Sequence, residues 1–159
     1  MSKPQSPFGM QRERADPLIV VADRLRQALA EDIHGHEREW GQAVANSLAH
    51  VETAVWQHRL HANAKDGSLA TVDNSRPTLA RQVDALRSEC DGFLMQATAL
   101  REEAQRIAEF LRPKANPSAE DLAAMRQLAE QFLDAVEKNK EAETRLVLES
   151  VNTDIGVCD

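Results

Sequence analysis

The chain has 159 residues, 42% of them apolar and 28% charged, the balance of a folded domain rather than a disordered segment. Its net charge of −7, with arginines interleaved among glutamates along the whole length, counts against nucleic acid as a partner. Aromatics make up only 4% and tyrosine is absent, while alanine, leucine, glutamate, glutamine and arginine abound. Such unbranched side chains lose little rotamer freedom in a helix, so the composition favours helix over sheet.

Residues 1–15 mix prolines, a glycine and charges without periodicity and read as a flexible N-terminal arm. Asp16-Pro17 is a helix start, with an acceptor at the N-cap and proline at the first position, where its missing N–H costs nothing. From there Leu18, Val21, Leu25, Leu29, Ile33, His36, Trp40, Val44, Leu48, Val51 and Val55 recur every three or four residues, the step of one helical face. A single helix over 17–63 would be roughly 70 Å long, which overhangs a domain of this size. Gly35 and Gly41 are the available breaks, and Gly35 could serve as a left-handed C-cap. A kink or tight reversal between Ile33 and Gly41 is favoured, with one continuous first helix as the alternative. The apolar run Leu18–Ala22 is too short for a signal segment or a membrane span, which points to the cytoplasm.

A turn is expected at Asp66-Gly67, followed by a loop through Thr71, Asp73, Asn74 and Ser75. Pro77 opens the next helix, with the stripe Leu79, Val83, Leu86, Cys90, Phe93, Ala97, Leu100, Ala104, Ile107, Leu111; "RPKANPS" ends it. Asn116-Pro117 or Ser118 caps the last helix, Ser118 and Asp121 having capping-box spacing. The last stripe is Leu122, Met125, Ala129, Phe132, Val136, Asn139, Glu143, Leu146, and residues 152–159 read as a surface tail. Residues 16–151 are thus expected to form a single all-α domain, an antiparallel up-and-down bundle of four helices, or of three if the first is continuous.

Each stripe carries a polar or soft residue: His36 and His58, then Cys90, then Asn139 and Glu143. Burying such groups costs free energy unless hydrogen bonds or a metal satisfy them. Taken singly, each reads as a satisfied core residue or a group near a wet helix end. Other chemistry has less support. No glycine-rich phosphate loop follows a strand, no third group orients Ser47 and His50, and Cys90 on an apolar stripe reads as a buried filler before a nucleophile. Glu31-x-x-His34 is half of a paired carboxylate–histidine motif with no second copy, while His58 and His61 share a face. Cys90 and Cys158 lack ligand spacing and read as free thiols.

The stretches "EDIHGHEREW", "AVWQHRLHAN", "PTLARQVDALRSECDGFL" and "NKEAETRLVLESVNTDIG" together resemble the hemerythrin-like, or HHE cation-binding, helical bundle family over about residues 18–157. The resemblance implies a two-iron site bridged by oxygen and carboxylates, used to carry or sense dioxygen. Transferred position by position, that site is incomplete. His36, with His34 as competitor, and His58 stand at ligand positions of the first two helices, but Ala62 replaces the carboxylate expected after His58. Cys90 and Leu94 stand at the third helix's positions, and Asn139 stands for a histidine in the fourth, with Glu143 retained. No histidine follows His61, so the later helices cannot supply imidazoles. The remnant His36, His58, Cys90 and Glu143 could hold one iron or zinc ion if all four converge. The leading expectation is a non-catalytic interaction or structural protein without a bound cofactor, acting on an unidentified protein partner or by self-association. A mononuclear metal sensor or redox protein is the alternative.

Overall fold

The computed structural model describes residues 16–109 and 117–152. Five helices appear: α1 (Pro17–Ala30), α2 (Glu37–Asn63), α3 (Ser68–Ser75), α4 (Ala80–Ala108) and α5 (Ala119–Asn152), with a 3-10 turn at Pro77–Leu79. Four of them, α1, α2, α4 and α5, form an antiparallel up-and-down bundle, and no strand occurs among the described residues.

The direction of each helix is fixed by its cross-links. Arg38 Nε donates to the Ala108 carbonyl at one end of the α2–α4 seam, Arg101 pairs with Glu52 midway, and Arg87 reaches Asn63 at the other end. Along α1–α5, Arg126 reaches the Glu31 carbonyl, Arg26 pairs with Asp134 and Glu137, and Lys140 pairs with Asp16.

The long apolar phase from residue 18 to 55 does break. The α1 helix ends at Ala30, and the chain reverses through Glu31–His36, where Gly35 takes φ +75° and His36 N–H donates to the Ile33 carbonyl. The continuous-helix alternative is thereby ruled out, and so is Gly35 as the C-cap, a place held by Glu31 with extended backbone. The start of α1 follows the expected chemistry: Asp16 accepts from Leu18 N–H at 2.9 Å and Pro17 opens the helix. Ser118 and Asp121 cap α5 reciprocally, with Ser118 N–H donating to the carboxylate and Asp121 N–H donating to the Ser118 hydroxyl.

Three further corrections concern the middle and the end of the chain. Thr71, Asp73, Asn74 and Ser75, expected in a loop, belong to the helix α3, because Leu69 and Val72, three apart, bury one face. Beyond Pro77 the chain makes a 3-10 turn before α4 begins at Ala80. Asn152, expected in the tail, still belongs to α5. The rest of the tail, the N-terminal arm and most of the "RPKANPS" breaker lie outside the described residues.

The fourth wall of the bundle is shared. The short α1 covers the upper part, packing on α2 and α5, and α3 takes over below its start, against α2, α4 and α5. The interior accordingly divides. A large cluster unites α1, α2, α4 and α5 and includes Leu25, Leu48, Phe93, Phe132 and Leu133, with the two phenylalanine rings edge to face at 6.0 Å. A small cluster joins Ala62, Leu69, Val72, Leu79, Val83, Leu86 and Leu146. No described helix is long and apolar enough to cross a membrane.

Candidate functional site

The polar residues of the stripes lie at the boundary between the two clusters. On α2, His58 falls between Val55 of the large cluster and Ala62 of the small one; on α5, Asn139 and Glu143 fall between Val136 and Leu146. Helical spacing places them at one level, where α1 gives way to α3.

His58 Nε2 lies 2.7 Å from Glu143 Oε2, with their side chains only 16% and 8% exposed. The other carboxylate oxygen accepts from Ser68 Oγ at 2.5 Å, at the first residue of α3. His58 Nδ1 faces Lys140 Nζ at 3.4 Å, and Lys140 pairs with Asp16 Oδ2 at 3.0 Å. Five side chains from α1's cap, α2, α3 and α5 thus form one chain of contacts. Lysine ammonium can only donate, so in a neutral ring Nδ1 is the acceptor and the proton lies on Nε2, facing Glu143. In this order the carboxylate stands between serine and histidine. A nucleophilic serine needs the base at its own oxygen, so the arrangement is a structural relay rather than an acyl-transfer triad.

Electrostatics agrees with the geometry. Burial alone would push the Glu143 carboxyl up, but hydrogen bonds from His58 and Ser68, with the charges of protonated His58 and Lys140, hold it below its ordinary value. Asp16 behaves likewise: burial pushes it up, and Lys140, the Leu18 amide and protonated His58 outweigh that. Cys90 moves the other way. Burial, then Asp91, raises its thiol, which keeps it neutral and a poor nucleophile.

The sequence-predicted metal ligands do not converge. His58 and Glu143 meet, but His36 is exposed at the N-cap of α2, about 33 Å along the helix axis from His58. Its place in the stripe was an accident of phase, since the apolar pattern runs through the reversal between α1 and α2. His34, its competitor, is almost fully exposed beside Asp32. Cys90 is buried within the large cluster. Asn139 Nδ2 donates to the Leu86 carbonyl at 3.3 Å and to Glu89 Oε2 at 2.8 Å, so its amide is already used. Leu94 packs against the large cluster and Ala62 lies in the small one. No group of three or more His, Cys, Asp or Glu side chains among the described residues is placed to hold a metal ion. A two-iron centre does not fit this set of donors.

Sequence reasoning missed Ser68, Lys140 and Asp16. Asp16 was visible as a helix cap but not as an ion-pair partner for a side chain on α5. Ser68 lay in the stretch read as turn and loop, although the Leu69/Val72 spacing could have shown a helical face there. Lys140 has no local signal, because both of its partners come from distant segments. Comparison with protein-family models, with curated proteins and with solved structures finds no match to this chain.

Proposed function

We propose that the protein is a non-catalytic helical bundle of hemerythrin-like ancestry, without the two-iron centre, that works through its surface on a protein partner or a second copy of itself. The reading also places it in the cytoplasm. One observation carries it: the polar side chains at the level where ligands would converge are consumed by one another. His58 and Ser68 satisfy Glu143, Asn139 is satisfied by Leu86 and Glu89, and Ala62, Cys90 and Leu94 pack in or against the apolar clusters. A buried polar layer of this kind specifies how helices pair, since a shifted register would strand each group without a partner.

Elemental analysis and the absorption spectrum of protein produced in iron-supplemented medium test the reading. The expected result is a colourless protein without stoichiometric iron; stoichiometric iron with a near-ultraviolet oxo-bridge band rejects it. A second reading, a single ion held at His58 and Glu143, is favoured by their contact alone. Tight zinc binding lost on both His58→Ala and Glu143→Ala would support that reading against the first.

A further inference from the structure

We infer, on the strength of the surface-acting role proposed above, that the partner is a second copy of this chain, bound antiparallel along the outward face of α4 with Met95 at the two-fold axis. That face steps by helical spacing from Arg81 through Asp84, Ser88, Met95, Glu102 and Arg106 to the C-cap Glu109, all exposed and opposite the buried stripe of α4. Met95, at its centre, is 76% exposed. Around it residues 92–100, "GFLMQATAL", carry no charge, in a chain 28% charged. The links Glu52–Thr98 and Arg59–Asp91 bracket the half-exposed Trp56 and set it beside Met95 across the α2 seam, which widens the apolar centre.

Charge selects both the occupant and its direction. An antiparallel pair centred on Met95 sets each residue opposite the one equally far beyond the centre. Asp84 then meets the partner's Arg106, eleven positions out, and Arg81 meets the partner's Glu109, fourteen positions out. Ser88 faces the partner's Glu102, a hydroxyl donor against a carboxylate. Asp91 faces the partner's Ala99, its charge already engaged by Arg59 of its own chain. A parallel pair would oppose every charge to its own copy, which repels. Gly92 supplies close approach. Glycine inside a helix is entropically costly, and a Cβ here would meet nothing within 4 Å, so packing within one chain gives no reason for it. In the antiparallel pair it lies against the partner's Ala99, small against small, as Gly41 lets α2 touch α4 inside the chain. The groove beside it, about 460 Å³ between α4 and α5 and lined by Gln96, Ala99, Leu128 and Phe132, gives the partner's Met95 room to fold into. A helix roughly 43 Å long with these flanks can offer the about 800 Å² per copy that a stable pair needs.

Sedimentation equilibrium of the full chain, from about 1 μM to about 500 μM, covers the range in which an interface of this size associates. The mass should rise with concentration from 17.7 kDa to twice that value. A monomer throughout would overturn the pairing. Met95→Glu, which sets two carboxylates together at the axis, should weaken association more than about tenfold, and Asp84→Arg and Arg106→Asp about tenfold each. All three positions are exposed, so circular dichroism should show unchanged helix content. Mixed in equal amounts, Asp84→Arg and Arg106→Asp should associate with each other about as tightly as wild type, because each reversed charge then faces an unlike one. Wild-type affinity in either charge variant alone, or a mixture that fails to recover, would overturn the antiparallel register. Iron in the same samples separates the two ideas: stoichiometric iron rejects the functional reading whatever the mass, and an iron-free monomer rejects only the pairing, leaving a foreign protein as the partner.

Discussion

The two apolar clusters are made of similar residues but hold different parts of the molecule. The large one draws on α1, α2, α4 and α5 and contains Phe93 and Phe132. The small one gathers the end of α2, the start of α4 and the end of α5 around an eight-residue helix that could not stand alone. Between them lie His58, Asn139 and Glu143, each with a named polar partner. The difference teaches that both halves combine buried area with cross-helix ion pairs, while the boundary with the lower half adds buried hydrogen bonds, through Glu143, that anchor α3.

Leu48→Ala should have the largest effect. Leu48 is fully buried among α1, α2, α4 and α5, and truncation leaves a cavity that long helices cannot collapse around, costing about 3 kcal/mol. Leu69→Ala in the small cluster should cost less, about 2 kcal/mol, because a short helix can settle into the space. Urea denaturation of both variants measures the contrast, and equal losses would mean that the two clusters form one rigid core.

Close backbone approach gives a second contrast. A Cβ on Gly41 would lie 2.8 Å from Ile107 Cγ2 and 2.9 Å from the Ala104 carbonyl and Ala108 nitrogen, so α2 and α4 touch there through glycine. Gly41→Ala should force the helices apart and cost about 2 kcal/mol. A Cβ on Gly67 would instead collide with the carbonyl oxygens of His61 and Ala62, where the chain leaves α2 for α3. Gly67→Ala should raise hydrogen exchange in α3 while leaving α1 and the upper part of α2 protected.

The legibility of these parts followed the range of the forces involved. Capping at Asp16 and Ser118, and the stripes of α4 and α5, depend on neighbours a few residues apart, and the sequence displays them directly. Phase alone could not show where α1 ends, because the stripe continues through Ile33 and His36 as if no reversal occurred. The same accident placed the exposed His36 among candidate ligands. Of the four residues expected at a metal, only His58 and Glu143 touch, and what they touch besides each other, Ser68 and Lys140, is fixed by tertiary placement. The α3 segment was hidden by its own composition: Gly67, Asp73, Asn74 and Ser75 are turn formers, and the buried pair Leu69 and Val72 overrides them.

Acid should separate the polar layer from the clusters on either side. The folded Glu143 carboxyl is held below its ordinary value of 4.5. Its contribution is therefore fully present above that value and is lost as pH falls through the lower folded one. Asp16, also lowered, acts in the same direction. Glu143→Gln should cost about 1.5 kcal/mol at pH 7, the worth of charge-assisted hydrogen bonds exchanged for neutral ones. Near pH 3 the gap to wild type should narrow. Urea midpoints across this range measure it, and a constant gap would mean that Glu143 is not ionised in the folded protein.

The smallest effect belongs to the turn that the sequence stripe concealed. Gly35 adopts φ +75° with nothing within 4 Å of a built Cβ, so a side chain there meets no steric barrier beyond its own backbone. Gly35→Ala should cost about 1 kcal/mol, the penalty of the left-handed region for an L-residue, and Gly35→Asn less, because asparagine tolerates that region. Both variants should fold with unchanged α1–α2 packing, since the ion pairs of Arg26 and the hydrogen bond of Arg126 hold α1 to α5 independently of the turn. Thermal melts rank the variants. If Gly35→Ala instead cost as much as Gly41→Ala, the reversal at 31–36 would be nucleating the pairing of α1 with α2 rather than merely permitting it, and glycine there would be as structural as the glycine between α2 and α4.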